Sequence, residues 1–218
     1  MNNTTKIKLL IITPSLQCGG SEKFVSLLCN HINTQLFSVC LVVVNNARPF
    51  YTITNPDVEI VDLEKNRVLF SLSSIKTIVK KFSPDIIFST ANHLNLYLAI
   101  FRNSFNKKIK FVAREASIVS INSRQAKIPL VYNRLIKKYY NRFDRIICQS
   151  VYMQQDLVNL YNIPADKTIV IHNATAEVLS KTVLPARQDG QRVYKLLTVA
   201  RLSEEKGIER LIHAAGLL

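Results

Sequence analysis

Short apolar runs recur along this chain at residues 7–13, 37–44, 58–63, 85–90, 109–114, 145–149 and 168–172, with segments of helix length between them. Val, Ile, Leu and Phe fill these runs with little polar alternation, which suits strands buried on both faces. Between them, residues 22–31 place Phe24, Leu27 and Leu28 on one side, and residues 72–82 repeat Leu72, Ile75, Ile78, Val79 and Phe82 at helical spacing. Ser83, Pro84 and Asp85 separate that second helix from the next strand, because proline cannot continue the helical ladder and biases the residue before it away from helix. The alternation predicts an α/β fold: a Rossmann-like parallel sheet with helices on both faces.

The rhythm breaks once. Between residues 174 and 192 the apolar periodicity fades and Pro185, Asp189 and Gly190 accumulate among polar residues, a linker composition. The division that follows is a first domain over 1–175, a linker over 176–192 and the start of a second Rossmann-like domain over 193–218. That last part reads as a strand over 195–202, a polar turn over 203–207 and a helix over 208–218 with Ile208, Leu211, Ile212 and Ala215 on one stripe. No strand comes after it, so the second domain is expected to be incomplete and the chain a fragment.

The 218 residues are 48% hydrophobic, enough for a sizeable core, but the longest apolar runs fall far short of the roughly 20 residues that span a bilayer. Lys6 and Lys8 precede a run that meets Pro14 too early for a secretory signal, so the first segment is read as a strand that stays in the cytoplasm. Cys18, Cys29, Cys40 and Cys148 have neither metal-binding spacing nor the density of a disulfide framework, and read as free or buried thiols. No metal site is expected. The net charge of +14 is concentrated between Arg102 and Arg145, where Glu115 and Asp144 are the opposing acids, and it points to an anionic partner.

Gly19 and Gly20 follow the first strand just before a helix, where an unshielded backbone and free N–H groups favour a phosphate or sugar. The pattern is neither the dinucleotide fingerprint nor the P-loop, and a tight β-α turn accounts for the same glycines. Glu22 in the first helical turn suits the helix dipole. His93 follows the strand-like run ending at Thr90, and Arg114 and Glu115 end the next one, all on the sheet edge where open α/β folds bind ligands. His93 also reads as an ordinary structural histidine, and Arg114 and Glu115 as partners of each other. Arg201 and Lys206 flank a turn that opens a helix, a place for two cations to hold a diphosphate, or for two plain surface cations.

Taken together, "CGGSEKF", "SPDIIFSTANHLN", "DRIICQSVYM" followed by "DKTIVIHNA", and "VARLSEEKGIERLIHA" resemble a retaining GT-B glycosyltransferase of the family 4 type across nearly the whole chain. The resemblance implies two Rossmann-like domains facing across a cleft, the N-terminal one binding acceptor and the C-terminal one the nucleotide sugar. It places Gly19 and Gly20 near the donor phosphates, and Arg201 and Lys206 on the donor diphosphate. The implied reaction moves a sugar from a nucleotide donor, UDP-linked, to a cell-surface polysaccharide, lipopolysaccharide or lipid-linked acceptor. It proceeds with retention and without metal or other cofactor. Many relatives carry histidine near the end of the fifth strand where this chain has Arg114, which leaves His93 as the nearer candidate. The family's Glu-x7-Glu motif is missing, so the chain alone is expected to be inactive.

A second reading is a non-catalytic module that binds acceptor or membrane. Between Arg124 and Arg145, Ile128, Leu130, Val131, Leu135, Tyr139 and Tyr140 are mixed with Arg134, Lys137, Lys138 and Arg142, a helix suited to an anionic membrane surface. The same pattern describes a core helix with a solvated basic side. On the membrane reading the protein is peripheral on the inner face of the cell membrane. Nucleic acid is not expected as a partner, since no helix-turn-helix, zinc or RNA-binding signature accompanies the charge.

Overall fold

A computed structural model of the chain describes residues 5–174, 197–200, 202 and 206–217. The chain divides into two units, Met1–Glu177 and Val178–Leu218.

In the first unit all seven apolar runs are strands: β1 Ile7–Thr13, β2 Phe37–Val43, β3 Val58–Asp62, β4 Ile86–Thr90, β5 Lys110–Arg114, β6 Arg145–Cys148 and β7 Thr168–Val170. They form one sheet in the order β3-β2-β1-β4-β5-β6-β7, with every pairing parallel. The helices are α1 Gly20–His31, α2 Leu72–Phe82, α3 Asn92–Phe101, α4 Val119–Arg124, α5 Pro129–Tyr139 and α6 Val151–Tyr161. Parallel neighbours require crossover connections, and these helices supply them on both faces.

Successive strand residues point to opposite faces, so the sheet divides its apolar side chains between two cores. On one face Leu9, Ile11, Val39, Leu41, Val43 and Phe88 pack with Val25 and Cys29 of α1. On the other, Leu10, Ile12, Val42 and Ile87 pack with Ile75 of α2, Leu94 and Leu98 of α3, Ile136 of α5 and Leu157 of α6. Local signals set the ends of the helices. Ser83 turns to φ 51 before Pro84 and closes α2, and the Ser150 hydroxyl accepts from the Met153 N–H at 3.2 Å to open α6. Pro129 occupies the start of α5, where its missing N–H costs nothing.

In the second unit the helix expected over 208–218 is present as α7, Ile208–Ala215, entered through Gly207 at φ 62, a left-handed conformation that favours glycine. The strand expected over 195–202 is not formed at residues 197–200, where Leu197 and Val199 are 89% and 88% exposed. A strand needs a neighbour for its backbone N–H and C=O groups, and among the described residues none pairs with this segment. The 176–192 linker and Arg201 lie outside the described residues. Among the described residues no helix is long and apolar enough to cross a membrane.

Candidate functional site at the carboxyl edge of the sheet

In a doubly wound sheet the strand order reverses between β1 and β4, and the loops beyond their carboxyl ends open a crevice there. Gly19, Gly20, His93, Arg114 and Glu115 all sit on this edge, after β1, β4 and β5. Lys206 belongs to the other unit, where it is exposed in the turn before α7.

The glycines act differently from a sharp turn. Gly19 is extended, at φ −173, and caps α1, while Gly20 begins the helix. A β-carbon at Gly19 would stand 2.2 Å from Glu22 Oε2, because the Glu22 carboxylate folds back over the helix start. At Gly20 a β-carbon would meet nothing within 4 Å, so the first turn of α1 is open to approach.

Beneath that helix start lies a polar nest. Thr90 and Arg114 are register partners on β4 and β5, so their side chains share a face. It is the α1 face, since Phe88 and Val112, two residues earlier on each strand, pack in the α1 core. The Arg114 guanidinium lies 3.9 Å from the centre of the Phe24 ring, and Ser21 stands one turn before Phe24 on α1. Arg114 Nη1, Thr90 Oγ1 and Ser21 Oγ are buried and have no hydrogen-bond partner among the described residues. Buried polar atoms are nearly always paired, so three orphans on this edge of the sheet stand out. Burial pushes the Arg114 pKa down to about 10, with the Glu115 charge opposing, and the group remains a cation at neutral pH.

Arg114 and Glu115 do not pair with each other, because consecutive residues at a strand end face opposite ways. The Glu115 side chain turns toward α3 and α5, where its carboxylate accepts from Asn95 Nδ2 at 2.8 Å, Tyr140 Oη at 2.9 Å and Asn92 Nδ2 at 3.0 Å. It is fully buried, and burial raises its pKa despite these donors and the Arg114 charge. All three donors approach from within the core, so Glu115 works as an anchor that fixes α3 and α5 to the end of β5. On the other side, Arg114 Nη2 donates to Asn173 Oδ1, Asn173 Nδ2 donates to Gln149 Oε1 at 2.8 Å, and Gln149 Nε2 donates to the Glu115 carbonyl at 2.9 Å. The ends of β5, β6 and β7 are thereby tied into one network.

His93, in the first turn of α3, keeps an exposed surface at the rim, yet the surrounding protein lowers its pKa and the Glu22 charge only partly restores it. It is a neutral donor or acceptor near pH 7. Before it, Ala91 is held at φ 80, ψ 125, a strained conformation for a residue with a β-carbon.

The basic stretch resolves into two kinds of cation. Arg134, Lys137 and Lys138 are exposed on α5, beside exposed Ile128, Leu130 and Val131. Arg142 is not part of that face: its Nη1 donates to the carbonyls of Ile100 at 2.7 Å and Ala99 at 3.3 Å, closing the end of α3. Cys29, Cys40 and Cys148 are buried with their thiols pushed up to about 12, and Cys18 is exposed and unbridged. Among the described residues no group of three His, Cys, Asp or Glu side chains is placed to hold a metal.

Sequence reasoning missed Ser21, Thr90, Asn92, Asn95, Gln149 and Asn173. Their signal was present only as polar residues at strand ends and helix starts, in "GGSEKF", "FSTANHLN", "CQS" and "IHNA".

A parallel doubly wound sheet with polar residues gathered at its switch point is a Rossmann-like unit. The family model for Glycosyltransferase Family 4 matches residues 18–176, and the chain belongs to that family. Among solved structures it is similar to HepE from Anabaena in complex with UDP, at 18% identity and a TM-score of 0.57, over 78% of this chain and 44% of that one. Sucrose-phosphate synthase from Thermosynechococcus elongatus matches at 13% identity and a TM-score of 0.59, over 78% and 49%. The lipopolysaccharide outer core galactosyltransferase WaaB matches at 13% and 0.56, over 78% and 46%. The chain thus spans under half the length of each of these structures. No curated protein matches the sequence.

Proposed function

We propose that this chain provides the acceptor-side half of a glycosyltransferase that moves a sugar from a UDP-linked donor to a cell-surface polysaccharide, lipopolysaccharide or lipid-linked acceptor, with retention at the transferred carbon. The observation that carries the reading is the nest of unpartnered polar atoms, Ser21 Oγ, Thr90 Oγ1 and Arg114 Nη1, below the open first turn of α1. Backbone N–H groups at Gly19 and Gly20 and the Arg114 cation suit the phosphate end of a nucleotide sugar, and the helix dipole adds to their effect. As the sugar–phosphate bond breaks, negative charge builds on the departing diphosphate, and these donors stabilise it without reorganising. Arg201 and Lys206 are further cations for the donor diphosphate in this proposal, so its charge is balanced by side chains and no metal is required. His93 faces the acceptor, and Glu115 holds Arg114's strand in place. HepE, described with UDP, and WaaB, described as a lipopolysaccharide galactosyltransferase, supply the donor and acceptor classes by analogy of fold.

The test is amide chemical-shift mapping of the 218-residue chain with UDP-glucose and UDP-galactose. Shifts centred on Gly19, Gly20 and Ser21, and abolished in Arg114→Met, are the expected result. Shifts that leave this loop untouched remove the donor from the first unit.

A surface reading accompanies the catalytic one. Exposed Ile121, Ile128, Leu130 and Val131 beside Arg124, Lys127, Arg134, Lys137 and Lys138 suit peripheral attachment to an anionic membrane, where lipid-linked acceptors reside.

A further inference from the structure

A second cavity opens on the same sheet edge, on the β2 and β3 side of His93. It has a volume of about 490 Å³, and its lining includes Val44, Lys65, Arg67, Leu69, His93 and Tyr97. The two kinds of wall are distinct. Val44 and Tyr97 are buried and give an apolar floor, and Leu69, 68% exposed, stands at the mouth. Lys65, Arg67 and His93 bring nitrogen donors, and no carboxylate is in the lining.

The loop that carries the two cations is fixed rather than floppy. Lys65 N–H donates to the Val44 carbonyl at 2.8 Å, and the Lys65 carbonyl accepts from Asn45 Nδ2 at 3.4 Å. Glu64 enters the loop at φ 52 with its N–H on Asp62 Oδ1 at 2.9 Å, and Tyr97 Oη donates to the Leu69 carbonyl at 3.0 Å. Neither Lys65 nor Arg67 forms an ion pair among the described residues. Two cations at one mouth with no carboxylate in the lining repel each other, and an anion between them reverses the sign of that interaction.

We infer that this cavity is the acceptor subsite and that it recognises a phosphate group carried by the acceptor. A phosphate has several acceptor oxygens and up to two charges, which match two neighbouring cations and an imidazole better than a carboxylate that one of them satisfies. The apolar floor receives a sugar face, and Pro14 in the lining places the cavity next to the loop that leads to Gly19 and Gly20. The inference rests on the glycosyltransferase reading above and adds to it the class of acceptor.

The experiment titrates the 218-residue chain with glucose, glucose 1-phosphate and farnesyl phosphate, following amide shifts and heat. Saturable binding of the phosphate probes, with shifts at Lys65, Arg67 and His93 and none from glucose, is the expected result. Lys65→Gln with Arg67→Gln weakens that binding about ten-fold or more, while the charge-matched Lys107→Gln with Lys108→Gln changes it less than about two-fold. Tighter farnesyl phosphate assigns the phosphate to a lipid-borne acceptor, and tighter glucose 1-phosphate assigns it to a soluble one. Equal binding of glucose and glucose 1-phosphate, equal weakening by the two variant pairs, or no saturable shift from either phosphate up to about 10 mM overturns the inference. None of these readouts involves a nucleotide. Failure here with intact UDP-glucose mapping therefore condemns the acceptor subsite alone, and the reverse pattern removes the donor from the first unit while the phosphate subsite stands.

Discussion

At the scale of single residues, Arg114 and Glu115 show how neighbours in sequence acquire unrelated work. One strand step turns Arg114 to the ligand nest and Glu115 to the interior, where Asn92, Asn95 and Tyr140 surround its carboxylate. Removing that acceptor with Glu115→Ala leaves three donors unsatisfied and costs about 3 kcal/mol or more, read as a lower urea midpoint at neutral pH. The pH dependence has a definite sign. Because burial raises the folded-state pKa above the ordinary 4.5, the stability tied to this proton is whole below that value. It is lost as pH rises through the raised pKa. The wild-type midpoint therefore falls relative to that of Glu115→Gln as pH rises above 4.5; parallel profiles contradict the assignment. None of this was legible in "AREAS", since a pair of opposite charges side by side reads as an ion pair until the pleat separates them. Arg114, Gly19, Gly20 and His93 were legible as positions on the carboxyl edge, whereas Ser21, Thr90 and Asn173 are too ordinary in type to stand out before their missing or shared partners are known.

At the scale of elements, the strands were legible because burial on both faces leaves unbroken apolar runs, and their ends shifted by only a residue or two. Residues 197–200 have the composition of those strands but pair with no neighbour among the described residues, and composition alone does not supply a ladder. The basic stretch misled in another way: the guanidinium of Arg142 closes the end of α3, and Arg102 donates to the Ile109 carbonyl at 2.8 Å while stacking on Phe111. Counting charge in sequence does not separate such caps from the free cations of α5. The junction of β4 with α3 stores strain at Ala91, whose φ of 80 glycine adopts freely. Ala91→Gly is expected to raise stability by about 1 kcal/mol, relief of strain outweighing the greater entropy lost by glycine, with a calorimetric melt as the check. A fall in melting temperature contradicts it.

At the scale of the whole molecule, a net charge of +14 makes any association with anionic surfaces strongly dependent on salt. Co-sedimentation with phosphatidylglycerol vesicles is expected to weaken about ten-fold between roughly 0.05 and 0.5 M salt. Leu130→Asp with Val131→Asp, at two exposed positions of α5, weakens it further without lowering stability. Equal binding to neutral phosphatidylcholine vesicles removes the membrane surface as a partner. The sheet order has a consequence for the birth of the protein on the ribosome. Strand β1, Ile7–Thr13, is an interior one, third in the order, flanked by β2 on one side and by β4, which is made more than seventy residues later, on the other. That strand must wait in an unfinished state, its apolar residues uncovered, until Ile86–Thr90 leaves the ribosome. A chaperone that shields nascent chains has a long task at β1, and removing residues 7–13 would split the sheet into two unequal parts rather than shorten an edge.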